Sequence, residues 1–92
     1  MDVVIEVPAE MEPARLAALI QEEKDRAGVL AAAGHLIRLW RPAGPGWRNV
    51  GLWCAEDEAA LQSVMETLPL APWMIRTVRA LGPHPSDPAV AR

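Results

Sequence analysis

The chain has 92 residues, with twelve acidic against nine basic side chains, a formal charge of −3, and 51% hydrophobic residues. That is one small domain. It is too apolar for a disordered chain, and it lacks the basic excess of a nucleic-acid or anionic-membrane binder and the ~18-residue apolar run of a membrane span. The single Cys54 excludes an intrachain disulfide and a cysteine-based metal site. The opening Met1-Asp-Val-Val-Ile-Glu6 is broken by acids and carries no basic region, so no secretory signal is expected and the expected compartment is the cytoplasm. A domain of this size leaves roughly a third of its unfolded-state surface exposed, which favours completing the core by oligomerisation.

In chain order, Asp2 to Val7 alternates β-branched Val3, Ile5 and Val7 with other residues and predicts a first strand that Pro8 ends. Glu10-Met-Glu-Pro13 opens a helix that Ala, Leu and Glu carry from Glu12 to about Ala33, with Gly34 as its stop. His35 to Arg41 and Trp47 to Cys54 read as two strands joined by the turn Pro42-Ala-Gly-Pro-Gly46, an antiparallel hairpin. Asp57 is the expected N-cap of a second helix, whose apolar stripe is Leu61, Val64, Met65 and Leu68 and which Pro69 stops. Trp73 to Leu81 is a fourth strand. The division is an α+β domain over residues 1–81 and a Pro-rich C-terminal tail over 82–92. The order βαββαβ is that of a ferredoxin-like fold, a four-stranded antiparallel sheet with two helices on one face. The strands carry apolar residues on both faces, so the bare face is expected to pack on another subunit.

The first helix holds the most informative residue. At ~100° per residue, Leu19, Ile20, Glu23, Ala27 and Leu30 all fall within about 60° of Leu16. A carboxylate on the core stripe must be paired, hydrogen-bonded or protonated. Two roles are open to Glu23: a general acid/base held in a dry site, or an end-of-core carboxylate satisfied by a structural partner.

Strand alternation places Leu36, Arg38 and Trp40 on one face and His35, Ile37, Leu39 and Arg41 on the other. An arginine among apolar residues suits a substrate carboxylate, and equally a structural ion pair. Arg76 raises the same question, on a face shared with Met74 and Val78. Trp40, Trp53 and Trp73 either line an apolar pocket or pack in core and interface. Asn49 either donates to a substrate oxygen or serves the turn, and His84, flanked by prolines, acts only if the tail is ordered by a partner. Cys54 reads as a small buried hydrophobe. His35 and His84 are too few for a metal site, so no metal and no cofactor are expected.

The run Leu68-Pro-Leu-Ala-Pro-Trp-Met74 followed by His84-Pro-Ser86 resembles the muconolactone Δ-isomerase family, which carries a Leu-Pro-Leu-aromatic-Pro-aromatic-Met run and a C-terminal His-Pro-Ser. Leu39-Trp40-Arg41, Asn49 and Glu23-Lys24 match further positions, so the resemblance covers nearly the whole chain. It implies a ferredoxin-like fold and a homo-oligomer, a dimer at least and a decamer of dimers in the known enzyme. It also implies a cofactor-free 1,3-proton shift that moves the ring double bond of a small anionic unsaturated lactone. In that reading Glu23 is the proton carrier, Asn49 a donor to the enolate oxygen, and Arg38 or Arg41 the cation for the substrate carboxylate; Trp40, Trp53, Trp73 and His84 complete the site. The chain departs from the family at His35-Leu-Ile37, in its longer hairpin turn and at Ile75-Arg76, where a substrate would be shaped and oriented. Two competing functions use the same fold: a monooxygenase or cyclase of the dimeric α+β barrel kind, and a non-catalytic ligand-binding or assembly domain.

Overall fold

Both ends of α1 and the start of α2 are set by local signals. The computed structural model describes residues 1–89, so the last three positions of the expected tail, 90–92, lie outside the described residues. The elements are β1 (Asp2–Ile5), α1 (Pro13–Ala32), β2 (Leu36–Trp40), β3 (Arg48–Trp53), α2 (Glu58–Met65), one turn of 3-10 helix (Ala71–Trp73) and β4 (Met74–Thr77). Pro13 takes the first turn of α1, where its missing N–H is no loss. At the other end Gly34, at φ +86°, donates to the Ala31 carbonyl while His35 donates to that of Leu30, which closes the helix as a Schellman motif. Asp57 caps α2 as its sequence predicts, accepting from the Ala60 N–H at 2.7 Å. The helix ends at Met65, earlier than the expected stop at Pro69, because Glu66 to Leu68 wind into turns that bond to Gln62, Val64 and Met65.

The strands form one antiparallel sheet in the order β2-β3-β1-β4. The connections β1-to-β2 and β3-to-β4 each step over a strand, and each carries a helix, as expected for a ferredoxin-like fold. Both helices cover one face. Leu19 of α1 packs with Val3, Ile5 and Leu70, and Leu30 of α1 packs with Met65 of α2, Leu68, Leu36 and Trp53; Met74 belongs to both clusters. β4 is shorter than the expected Trp73–Leu81: its last rung is Thr77 opposite Asp2, where β1 itself begins.

Cross-strand partners share a face. Val3 stands opposite Asn49 and Arg76, and Ile5 opposite Met74, so these residues lie under the helices. Asp2, Val4, Arg48, Val50, Leu52, Ile75 and Thr77 lie on the uncovered face by the same register. β2 corrects the simple alternation. Between Leu36 opposite Trp53 and Arg38 opposite Leu52, β2 advances two residues while β3 advances one. That bulge inverts the sidedness of everything beyond it. Leu36 is helix-facing, whereas Arg38 and Trp40 are on the open face, so the three do not share a side.

Cys54 is exposed, not buried: it follows the last β3 residue, where its N–H donates to the His35 carbonyl at 2.8 Å and its own carbonyl lies 3.2 Å from His35 Nδ1. At the centre of the sheet Gly51 is buried, and a Cβ there would run into the Trp53 indole. Replacing Asp57 with Ala removes one charge-assisted cap on a short helix. It is expected to lower stability by about 1 kcal/mol with no change in fold, as measured by urea unfolding followed through Trp fluorescence.

Candidate active site

Pro69 breaks the run from α2, and the next N–H, that of Leu70, is buried at a residue only 1% exposed. A buried backbone donor needs an acceptor. Glu23 supplies it from α1, with Leu70 N donating to Glu23 Oε1 at 2.9 Å. The helical period that places Glu23 among Leu19, Ala27 and Leu30 thus aims its carboxyl between α1 and the link from α2 to β4. Burial pushes the Glu23 carboxyl above the ordinary glutamate value, and the Leu70 N–H pulls it part of the way back. Among the described residues those two influences are the ones that act on it; no arginine neutralises it. A single backbone donor also engages only one of the two carboxylate oxygens. The group is therefore suited to taking up and giving back a proton.

Leu70 rests on Val3 and Ile5, and Val3 has Asn49 on one side and Arg76 on the other. Glu23, Asn49 and Arg76 are thereby placed around one cluster on the helix-covered face. Trp73 packs on the same cluster, with the Arg15 guanidinium 5.8 Å above its ring, and lines a hollow of about 370 Å³ with Glu10, Met11 and Arg15. Trp53 lies under the helices against Leu30, Met65 and Leu68. It also borders a larger hollow, about 450 Å³, together with Met1, Gly51, Leu61, Val78 and Arg79.

The other expected residues stand elsewhere. Arg38 is on the open face with its guanidinium 5.0 Å from the Trp40 ring, and both residues are exposed. Arg41 is exposed one residue beyond β2. His84 is in the exposed tail, where its Nδ1 accepts from the Ser86 N–H at 2.9 Å in a local turn. The single chain therefore does not bring Arg38, Trp40 or His84 to Glu23. Arg76 is the arginine that strand alternation did place beside Met74, on what proves to be the helix-covered side. The sequence does not single it out as the substrate cation, because nothing in it says which sheet face the helices take.

A carboxyl whose proton affinity is raised by folding contributes stability below its unfolded-state pKa and loses that contribution as pH rises through the folded-state value. Glu23→Gln keeps an oxygen for Leu70 and cannot ionise. Its melting temperature relative to the parent is therefore expected to climb as pH rises from the ordinary glutamate range through the raised folded-state value. A difference that is flat with pH, in paired thermal melts, would contradict the buried charge.

Comparison with known proteins matches this geometry to one family. The family model for muconolactone delta-isomerase matches residues 1–87. Muconolactone Delta-isomerase 2 of Acinetobacter lwoffii is 35% identical over 87 residues, covering 95% of this chain and 90% of that protein. Muconolactone Delta-isomerase of Pseudomonas aeruginosa is 34% identical over 83 residues, covering 90% and 85%. A crystal structure of muconolactone isomerase at 3.3 Å resolution superposes with a TM-score of 0.84 at 32% identity, over 95% of this chain and 90% of that one. The helix-covered antiparallel sheet, the sequence matches and the full-length alignment have one meaning: the chain belongs to the muconolactone delta-isomerase family.

Proposed function

We propose that the protein is a cofactor-free intramolecular isomerase that moves the ring double bond of a small, carboxylated, unsaturated lactone of the muconolactone type. The observation that carries the reading is the half-buried Glu23, raised in proton affinity and unneutralised, in a chain of this family. The chemistry follows from the group. The Glu23 carboxylate removes a proton from the lactone carbon, the electron pair delocalises into a dienolate, and the same carboxyl returns the proton two carbons away. Burial favours the first step, because it stabilises the neutral acid that holds the proton between the two transfers. Asn49, on the same side of the sheet, is the side-chain amide available to donate to the dienolate oxygen. Trp53 and Trp73 provide apolar walls.

The open face is assigned to a second copy of the chain. Trp40 is 46% exposed, Ile75 57% and Leu52 36%, on the side opposite the helices. An exposed sheet face with apolar residues of this size, interspersed with Arg38 and Arg48, is what an isologous contact covers. Arg38, Arg41 and His84 then serve from or toward a neighbouring subunit in a homo-oligomer, a dimer at least and a decamer by family resemblance. Among the described residues no helix is long and apolar enough to cross a membrane, and a cytoplasmic setting is part of the proposal.

Two measurements test this reading. Muconolactone turnover, followed by ultraviolet absorbance or proton NMR, is expected in the parent. It is expected to fall by about 100-fold or more in Glu23→Gln, which retains the shape and removes the base. In the parent, kcat is expected to rise with pH through a limb above the ordinary glutamate range, since the base works deprotonated. Separately, Leu52→Glu puts a charge on the open face and is expected to lower the mass seen by light scattering while the helices, followed by circular dichroism, persist.

A further inference from the structure

We propose that Arg76 is the anion-recognition residue of this site, taking the substrate's carboxylate, so that the protein selects lactones bearing a carboxylate over neutral ones. The inference rests on the isomerase reading for the identity of the substrate, and on independent geometry for the site.

Arg76 Nη1 is buried and has no hydrogen-bond partner among the described residues. A guanidinium does not deprotonate, so this N–H is a permanent cationic donor left open inside the fold. An unmet buried donor is destabilising unless something arrives to accept from it. The other arginines of the sheet and helices are placed or engaged differently. Arg26 Nε donates to Thr67 Oγ1 at 3.0 Å. Arg48 also has a buried nitrogen without a partner, Nε, but it is on the open face, and its Nη2 donates to the Ala43 carbonyl at 3.2 Å. Arg38 lies over Trp40 on that same open face, and Arg15 lies over Trp73. Arg76 combines a place on the helix-covered face with an open donor.

Its position relative to the other groups suits a small substrate. Asn49, Val3 and Arg76 form one rung across three adjacent strands, which sets the two polar residues about 10 Å apart at their backbones. The next rung on this face includes Met1 and Gly51, which bond to one another, and these with Val78 border the larger hollow. One rung along a strand is about 7 Å, within the length of an arginine side chain. Glu23, Asn49 and Arg76 do not themselves border that hollow. A lactone ring held over the rung of Asn49, Val3 and Arg76 would have an amide donor on one flank and a guanidinium on the other, which distinguishes the ring carbonyl from the carboxylate. Arg79 does border the hollow, but beside Glu56, Asp57 and Glu58, which repel an anion.

The test uses the intact oligomer and a probe that cannot react: the saturated butyrolactone carrying the same carboxymethyl group, and its methyl ester as the neutral counterpart. Both are titrated calorimetrically into the parent, Arg76→Met, Arg76→Lys and Arg79→Met, with steady-state kinetics on muconolactone alongside. The parent is expected to bind the acid at least about 10-fold tighter than the ester. Arg76→Met is expected to erase that preference while leaving ester affinity unchanged, and to lower kcat/KM for muconolactone by roughly 100-fold, chiefly through KM. Arg76→Lys is expected to restore part of the preference. Discrimination that survives in Arg76→Met, or that disappears in Arg79→Met instead, overturns the assignment. So does a parent that binds acid and ester alike. Loss of the oligomer in Arg76→Met, with Arg76→Lys restoring assembly but not acid preference, makes Arg76 structural and overturns it as well. A parent that binds the acid through Arg76 but does not turn over muconolactone would remove the isomerase reading and leave the anion site standing. Turnover that is indifferent to Arg76 would do the reverse.

Discussion

The hydrogen bond from the Leu70 N–H to Glu23 is the interaction on which the arrangement of the site depends. Leu70 follows a proline, sits at the base of the link between α2 and β4, and is almost wholly buried on Val3 and Ile5. Its N–H has no water to turn to, so an acceptor must come from across the core. A carboxylate on α1 supplies it and ties the first helix to the second half of the chain. One consequence is structural, since the bond spans 47 residues. The other is chemical: desolvation there raises the proton affinity of the same carboxyl that the backbone holds in place. The two roles first open to Glu23, structural partner and acid/base, are compatible, because one oxygen suffices for the backbone.

Sidedness of the sheet divides the remaining candidate residues. The face under the helices carries Asn49 and Arg76 beside the Val3 cluster, and the open face carries Arg38, Trp40, Leu52 and Ile75. One extra residue in β2 makes that division. Without the bulge, Leu36 and Arg38 would lie on the same, helix-covered side. With it, the guanidinium is turned outward onto Trp40, where the pair extends the surface assigned to a second copy. A single inserted residue in a period-two element thus moves a guanidinium from the helix-covered face to the open face.

Much of the fold and part of the site could be read from local chemistry. Asp57 caps α2 because a short acidic side chain before an apolar helical stripe has few better uses. Gly34 ends α1 because the residue after the cap has a positive φ that side chains disfavour. Glu23 was conspicuous because a charge on an apolar stripe contradicts its surroundings, and that contradiction is visible in one dimension. The proline-rich Leu68–Met74 run and the Leu-Trp-Arg triplet carried the family, which the full-length matches establish.

What the chain determined by itself was therefore its elements, their order, its family and one out-of-place carboxylate, since each depends on neighbours a few residues away or on a motif read intact. What only the tertiary structure decided was orientation and exposure. The bulge in β2, the exposure of Cys54, the early ends of β1 and β4, and the open donor of Arg76 depend on residues distant in sequence. Strand pairing sets which residue opposes which, and helix placement sets which sheet face loses water. Neither quantity has a local signature, because both are properties of the partner and not of the segment.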